Sequence, residues 1–233
     1  MAPKFDALKS VVPQRAAYRF LVRIDRLWVV PGFTKPDQAM AIEMVFLDQH
    51  GDKIQATVRK TLVYKFVDQL KEGVVYRFAY FSVVPNTGSY RATHHEHKLV
   101  FQMRTTVQPC ESSVIPRHGL CCVSFAALLK YDKDSDFLID VIGVLSGIST
   151  DREYLKDGKV TKMLVLELTN SRGKIECTLF GDFAYQIKCF IEPGNIHPTV
   201  IVLLYAKVKL YRGLCELCGC AKFNACFQAS YKS

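Results

Sequence analysis

No window of this sequence approaches the roughly 18 uninterrupted apolar residues of a membrane-spanning helix. Met1 to Ser10 has no apolar stretch followed by small residues, so it does not read as a secretory signal. No glycine-rich phosphate loop, paired catalytic carboxylates or Ser-His-Asp arrangement emerges, and neither an enzyme nor a cofactor is expected. Acidic residues are the scarcer charge, with 22 Asp+Glu against 31 Lys+Arg and a formal net charge of +9. The excess is uneven. Residues 1–110 carry 16 basic and 9 acidic side chains, and the remainder carries 15 and 13. A basic surplus attracts polyanions and speeds encounter with them in a salt-dependent way. A soluble basic surface with no specific partner has the same composition. The nine cysteines are an odd number, and several (Cys177, Cys189, Cys226) sit in apolar, strand-like runs. Buried reduced thiols in an intracellular protein explain them better than a disulfide framework.

What the chain has in quantity is apolar material: 49% of 233 residues. That suffices for one large core or two cores of about 100 residues each. It comes in short runs rich in Val, Ile, Leu, Tyr and Phe, such as Tyr18–Ile24, Ala41–Leu47, Val74–Val84, Lys98–Val107, Phe137–Val144, Lys162–Leu168 and Thr199–Leu210. Turn signals separate them, among them His50-Gly51-Asp52, Pro85 to Gly88, Ser171-Arg172-Gly173 and Glu192 to Asn195. Short strands at this spacing predict a barrel or sandwich. Two segments read as helices instead, Thr61–Glu72 and Asp182–Ile191.

An internal repeat organises these elements. The segment Met44 to Thr57 matches Leu164 to Thr178 after a one-residue adjustment at the turn, and Ile54-Gln55-Ala56-Thr57 falls opposite Ile175-Glu176-Cys177-Thr178. Any two β-hairpins share some of this pattern, but here the following helix and long hairpin repeat too. Each copy reads β-β-β-α-β-β, the order of the five-stranded OB barrel, with its helix between the third and fourth strands. The expectation is an all-β chain of two tandem OB-fold barrels. A first domain over 1–108 is joined by a Pro/Gly/Ser-bearing linker over 109–123 to a second over 124–233. A short tether between two weak sites raises the effective concentration at the second.

These residues resemble the large (70 kDa) DNA-binding subunit of replication protein A in its plant form, from about Val12 to Tyr231. The most specific stretches are Phe137 to Gly143, Met163 to Thr169 and Gly173 to Asp182. They are similar to the start and central hairpin of the family's second binding domain. Ala56 to Thr61 and Lys98 to Met103 are similarly placed in the first. The resemblance implies a nuclear protein whose two adjacent OB domains hold single-stranded DNA during replication, repair or recombination. The family's N-terminal recruiting domain and C-terminal zinc domain have no counterpart in these residues. Assembly with the two smaller subunits is therefore doubtful, and a monomer is the simpler expectation. Single-stranded RNA binding, or a protein-interaction scaffold, stays open on the same fold.

Single strands are held by aromatic stacking and a basic groove that follows the phosphates. In the second domain the candidates are Phe180 and Tyr211, where the resemblance places stacking aromatics, with Lys207, Lys209 and Arg212 as cations. A buried ring is the alternative for Phe180, but an inward Leu179 sends Phe180 outward. In the first domain Arg59 occupies the position of Phe180, and a guanidinium can stack on a base or meet phosphate. Lys60 follows it. Tyr90 matches the family's aromatic between strands 4 and 5, and Arg91 is next to it. Trp28 and Phe33 flank a Pro/Gly loop with Lys35, either as a clamp or as a hydrophobic plug. Further basic candidates are Arg26, Lys53, Lys98, Arg104, Arg152, Lys156, Lys159 and Lys162.

Cys215, Cys218 and Cys220, with Cys226 beyond, resemble half of a zinc knuckle. They fall where the last hairpin of the second barrel should run, so strand residues are the preferred reading. The tract His94-His95-Glu96-His97 looks like a metal tract, but adjacent strand residues point to opposite faces and do not converge on one ion.

Overall fold

The computed structural model describes residues 5–15, 17–32, 38–150, 152–156, 159–191, 199–211 and 214–218. Of residues 154, 156, 159, 211, 214–216 and 218 it describes the backbone alone. The chain is mostly β. It divides into two compact units, Met1–Gly119 and Leu120–Ser233. Among the described residues no helix is long and apolar enough to cross a membrane.

The first unit contains β1 (Arg19–Pro31), β2 (Ala39–Leu47), β3 (Lys53–Arg59), helix α1 (Lys60–Phe66), β4 (Val75–Pro85) and β5 (His97–Cys110). The strands close into a barrel in the order β1-β2-β3-β5-β4, with β3 and β5 parallel. Period-2 alternation decides which side chains enter it. Ile42, Met44 and Phe46 of β2 and Ile54, Ala56 and Val58 of β3 point into the core. Rings dominate that core. Phe46 stacks on Phe78 at 4.8 Å between centroids, and Phe101 meets Phe66 edge-on at 5.1 Å. Phe66 anchors α1 on this core.

The helix expected over Thr61–Glu72 stops at Phe66. Its continuation is taken up by other partners. The Tyr76 hydroxyl accepts from the Lys71 N–H at 2.9 Å and donates to the Gln69 carbonyl at 3.0 Å. Glu72 turns to β1, accepting from the Leu27 N–H at 2.7 Å and from Arg26 at 2.6 Å.

The second unit contains helix α2 (Phe125–Leu128), β6 (Leu138–Ile148), β7 (Arg152–Lys156), β8 (Lys159–Asn170), β9 (Gly173–Phe180), helix α3 (Asp182–Ile191), β10 (Val200–Tyr211) and β11 (Leu214–Cys218). Its sheet runs β6-β10-β11-β9-β8-β7, and β6 pairs with β8 as well. With β7 set aside as a hairpin partner of β8, these pairings repeat the order of the first unit, down to the parallel pair β9–β11. The core here is aliphatic, built on Leu164, Leu166, Leu168, Ile175, Leu179, Ile201 and Leu203. Phe125 of α2 enters it against Gly143, where an added Cβ would lie 2.9 Å from the ring. Cys215 and Cys218 are strand residues of β11 opposite Leu210 and Lys207, whereas Cys220 and Cys226 lie outside the described residues.

The fourth strand of each unit carries a matched irregularity. Register shifts bracket Tyr80 in β4 and lie between Leu203 and Ala206 in β10, where Tyr205 sits. Both tyrosines have positive φ, 67° and 55°. Such a conformation costs a bulky residue ~1–3 kcal/mol and persists only where surroundings impose it. Here the Tyr80 carbonyl accepts from Thr105 Oγ1, and the Tyr205 N–H donates to Asp140 at 3.0 Å.

The segment read as a linker is partly engaged. β5 runs to Cys110, and Ile115 is buried. Arg23 donates to the carbonyls of Pro116, Ile115 and Gly73, and the Gly119 N–H donates to Asp25. From Cys122 the chain bridges to Asp140 of the second unit.

Candidate nucleic-acid interface

The residues between the inward ones form the outer face of each unit. In the first, pairing register sets Trp28, Glu43, Thr57 and Val100 in one row across β1, β2, β3 and β5. Arg26, Val45 and Gln55 form the next row. Glu43 ties the two rows together. One of its carboxylate oxygens accepts from Gln55 Nε2 at 3.0 Å and from Thr57 Oγ1 at 2.8 Å. In the second unit the outer pairs are Met163–Phe180, Val165–Thr178 and Glu167–Glu176.

Arg59 and Phe180 are each the last residue of their unit's third strand, and both belong to the outer set. Arg59 is exposed at the N-cap of α1, and Lys60 is exposed with Nζ bonded to Gln38. Phe180 is half-buried, whereas its neighbour Leu179 is in the core. Gly181 turns the chain from β9 into α3 at a φ of +60°, its N–H donating to the Lys162 carbonyl at 2.9 Å. Tyr90 is 37% exposed and Arg91 half-buried, both in the β4–β5 loop.

Three expectations are corrected. Trp28 lies inside β1 rather than in a loop, and only 4% of its surface is exposed. The β1–β2 register shift between Ile24 and Arg26 changes which residues face the core, so Leu27 packs inward and Trp28 joins the outer row. A ring so covered presents no face to a base. Arg26 is likewise buried and ion-paired to Glu72. Lys207 is buried, and its ammonium donates to the Ser135 carbonyl, so this cation is already committed. By contrast Lys209 is exposed. Tyr211 ends β10, with only its backbone described, and Phe33, Lys35 and Arg212 lie outside the described residues.

Charge on the outer faces is not uniformly positive. Glu167 and Glu176 are cross-strand neighbours on the second unit. A hydrogen bond from Ser146 Oγ at 2.6 Å and one from Lys174 Nζ at 2.9 Å hold the Glu167 carboxyl below the usual glutamate range. In the first unit Lys53 pairs with Asp25 at 2.9 Å, and the Arg104 guanidinium lies over the Tyr80 ring at 5.6 Å. In the histidine tract His95 Nδ1 accepts from the His97 N–H at 3.0 Å. Among the described residues no group of three or more His, Cys, Asp or Glu is placed to hold a metal ion. Sequence reasoning missed the Glu43–Gln55–Thr57 network. Alternation alone would have turned all three outward, but the register that joins them is a property of the fold.

A family described as a domain of unknown function, DUF223, matches residues 9–125. The replication protein A 70 kDa DNA-binding subunits B and D of Arabidopsis thaliana are 22% and 21% identical to this chain over 221 and 220 residues, 92% of its length in each case. Those stretches are 36% and 35% of the two subunits, so the chain spans about a third of the length of these relatives. One chain of a replication protein A heterotrimer bound to ssDNA aligns with a TM-score of 0.61 at 17% identity, covering 96% of this chain and 51% of that one. That likeness extends the fold across both units. The chain thus resembles the plant replication protein A large subunits along most of its length and, by the match over half of it, belongs to the DUF223 family.

Proposed function

We propose that the chain is a pair of tandem OB-type barrels, each with a helix between its third and fourth strands, that binds single-stranded DNA with little sequence preference. One observation carries the reading. Both units pair their strands in the same order, in a chain similar over 92% of its length to two proteins named as DNA-binding subunits. Phe180 supplies a stacking ring at the end of the third strand of the second unit, and Arg59 supplies a guanidinium at the matching position of the first. Tyr90 and Arg91, Lys60, Lys209, Tyr211 and Arg212 add rings and cations, and Phe33 and Lys35 complete the proposed set. Stacking contributes ~1–3 kcal/mol per base and tolerates any base, because each has a π-face. The proposed location is the nucleus, and the proposed processes are replication, repair or recombination.

A titration of labelled ssDNA, ssRNA and duplex at two salt concentrations tests this. Preferential binding of ssDNA that weakens as salt rises is the expected result. Preference for ssRNA would move the assignment to RNA, and equal weak binding to all three would replace it with a protein-interaction scaffold.

A further inference from the structure

Six outward-facing side chains of the first unit are as covered as its core. Arg26, Trp28, Val45, Gln55, Thr57 and Val100 are between 0% and 7% exposed, and none belongs to the core cluster. The outer face of a barrel is wet unless something lies on it. The β4–β5 loop, residues 86–96, is bonded there. The Ala92 N–H donates to Gln55 Oε1 at 3.2 Å, and Ala92 and Thr93 are 7% and 5% exposed.

The loop is also closed at its neck. The Asn86 N–H donates to the Glu96 carbonyl at 2.8 Å. The buried Asn86 side-chain amide donates to the carbonyls of Thr93 at 3.3 Å and His95 at 3.2 Å. Glu43 orients the anchor. Its carboxylate accepts only, so Gln55 must turn its NH₂ toward Glu43 and its oxygen toward Ala92. The arrangement is a hydrogen-bonded relay, Ala92 to Gln55 to Glu43, that holds the loop on β3. The second unit has nothing of comparable length at this place, since two residues separate β10 from β11.

We propose that the β4–β5 loop of the first unit is a strap that gates its outer face, and that a polynucleotide engages this unit only once the strap lifts from Gln55. This rests on the single-stranded DNA reading and specifies how its first site is regulated. Tyr90 and Arg91 ride on the strap, so opening it moves a ring and a cation together with it.

The test uses the full chain and labelled oligo-dT, comparing wild type with Gln55→Ala and Gln55→Leu, each of which removes the acceptor of the Ala92 N–H. Loss of one ordinary hydrogen bond shifts an opening equilibrium by about fivefold to tenfold. Both the exchange of the Ala92 amide and the association rate should rise by that factor. Faster exchange with unchanged association overturns the gate while leaving DNA binding intact. No binding by wild type or variants removes both the gate and the proposed function. Should the variants not fold, hydrogen exchange on the wild type decides. Saturation with oligo-dT should deprotect Ala92, and unchanged or increased protection refutes the strap.

Discussion

Rings dominate the core of the first unit and aliphatic chains that of the second, where Phe125 and Phe183 join them, although their strands pair in one order. Phe20, Phe46, Phe78, Phe81 and Phe101 interlock in the former, and leucines and isoleucines take their place in the latter. Pairing order therefore follows from where strands, turns and bulges fall, and apolar residues of suitable volume fill whatever interior results. The outer faces differ more. One has an eleven-residue loop bonded to Gln55 and ends on Arg59. The other ends on a half-buried phenylalanine.

The strongest way to break this comparison is to empty one core. Phe46→Ala removes a ring packed on three others and should cost ~3–5 kcal/mol. Trp28 is the only tryptophan and belongs to the first unit, so its fluorescence during denaturation reports that unit. Phe46→Ala should move the tryptophan transition, and Leu166→Ala in the second core should leave it in place. A shift of similar size from Leu166→Ala would mean that the two cores are one cooperative unit.

Phe180→Ala against Arg59→Ala sharpens the contrast of the outer faces. The first should lose ~1–3 kcal/mol of oligo-dT affinity in an anisotropy titration. The second should lose less and mainly reduce the salt dependence, as expected of a phosphate contact. Lys207→Met tests the correction at that site. A buried carbonyl left without its donor should lower thermal stability by ~1–3 kcal/mol. A reduced salt slope at unchanged stability would instead return Lys207 to the phosphate set.

Tyr76→Phe should cost about 1 kcal/mol, since its hydroxyl bridges Gln69 and Lys71. Burial raises the phenol above its ordinary value of 10.0, and the Lys71 backbone bond offsets part of this. The protonated phenol is favoured by the fold. Its contribution is complete below 10.0 and is lost as pH climbs through the raised folded value. The phenylalanine variant should lack that alkaline decline in denaturant melts. The smallest effect belongs to Ser146→Ala on the second outer face. Glu167 is lowered chiefly by Ser146, so its contribution is present above the ordinary glutamate range and fades as pH falls through the lowered value. Wild type and variant should differ in denaturant melts at neutral pH and converge in acid, once the carboxyl is protonated.

Much of this is legible in the sequence. Alternation of Leu179 with Phe180 sends the second outward, and the Ile54–Thr57 and Ile175–Thr178 match aligns Arg59 with Phe180 at the third-strand end. Three features were not legible. The register shift after Ile24 redirects Trp28, Glu72 leaves its helix to pair with Arg26, and Lys207 turns to a carbonyl 72 residues away in sequence. Each depends on a partner that no local pattern names.

The residue order by itself determined most of the strands, their repeat and, away from register shifts, the inward half of each, because side-chain alternation is a property of a single extended chain. Whether an outward residue stays wet was decided only by tertiary structure. Gln55 and Lys207 are engaged by segments distant along the chain, and desolvation depends on neighbours in space rather than in sequence.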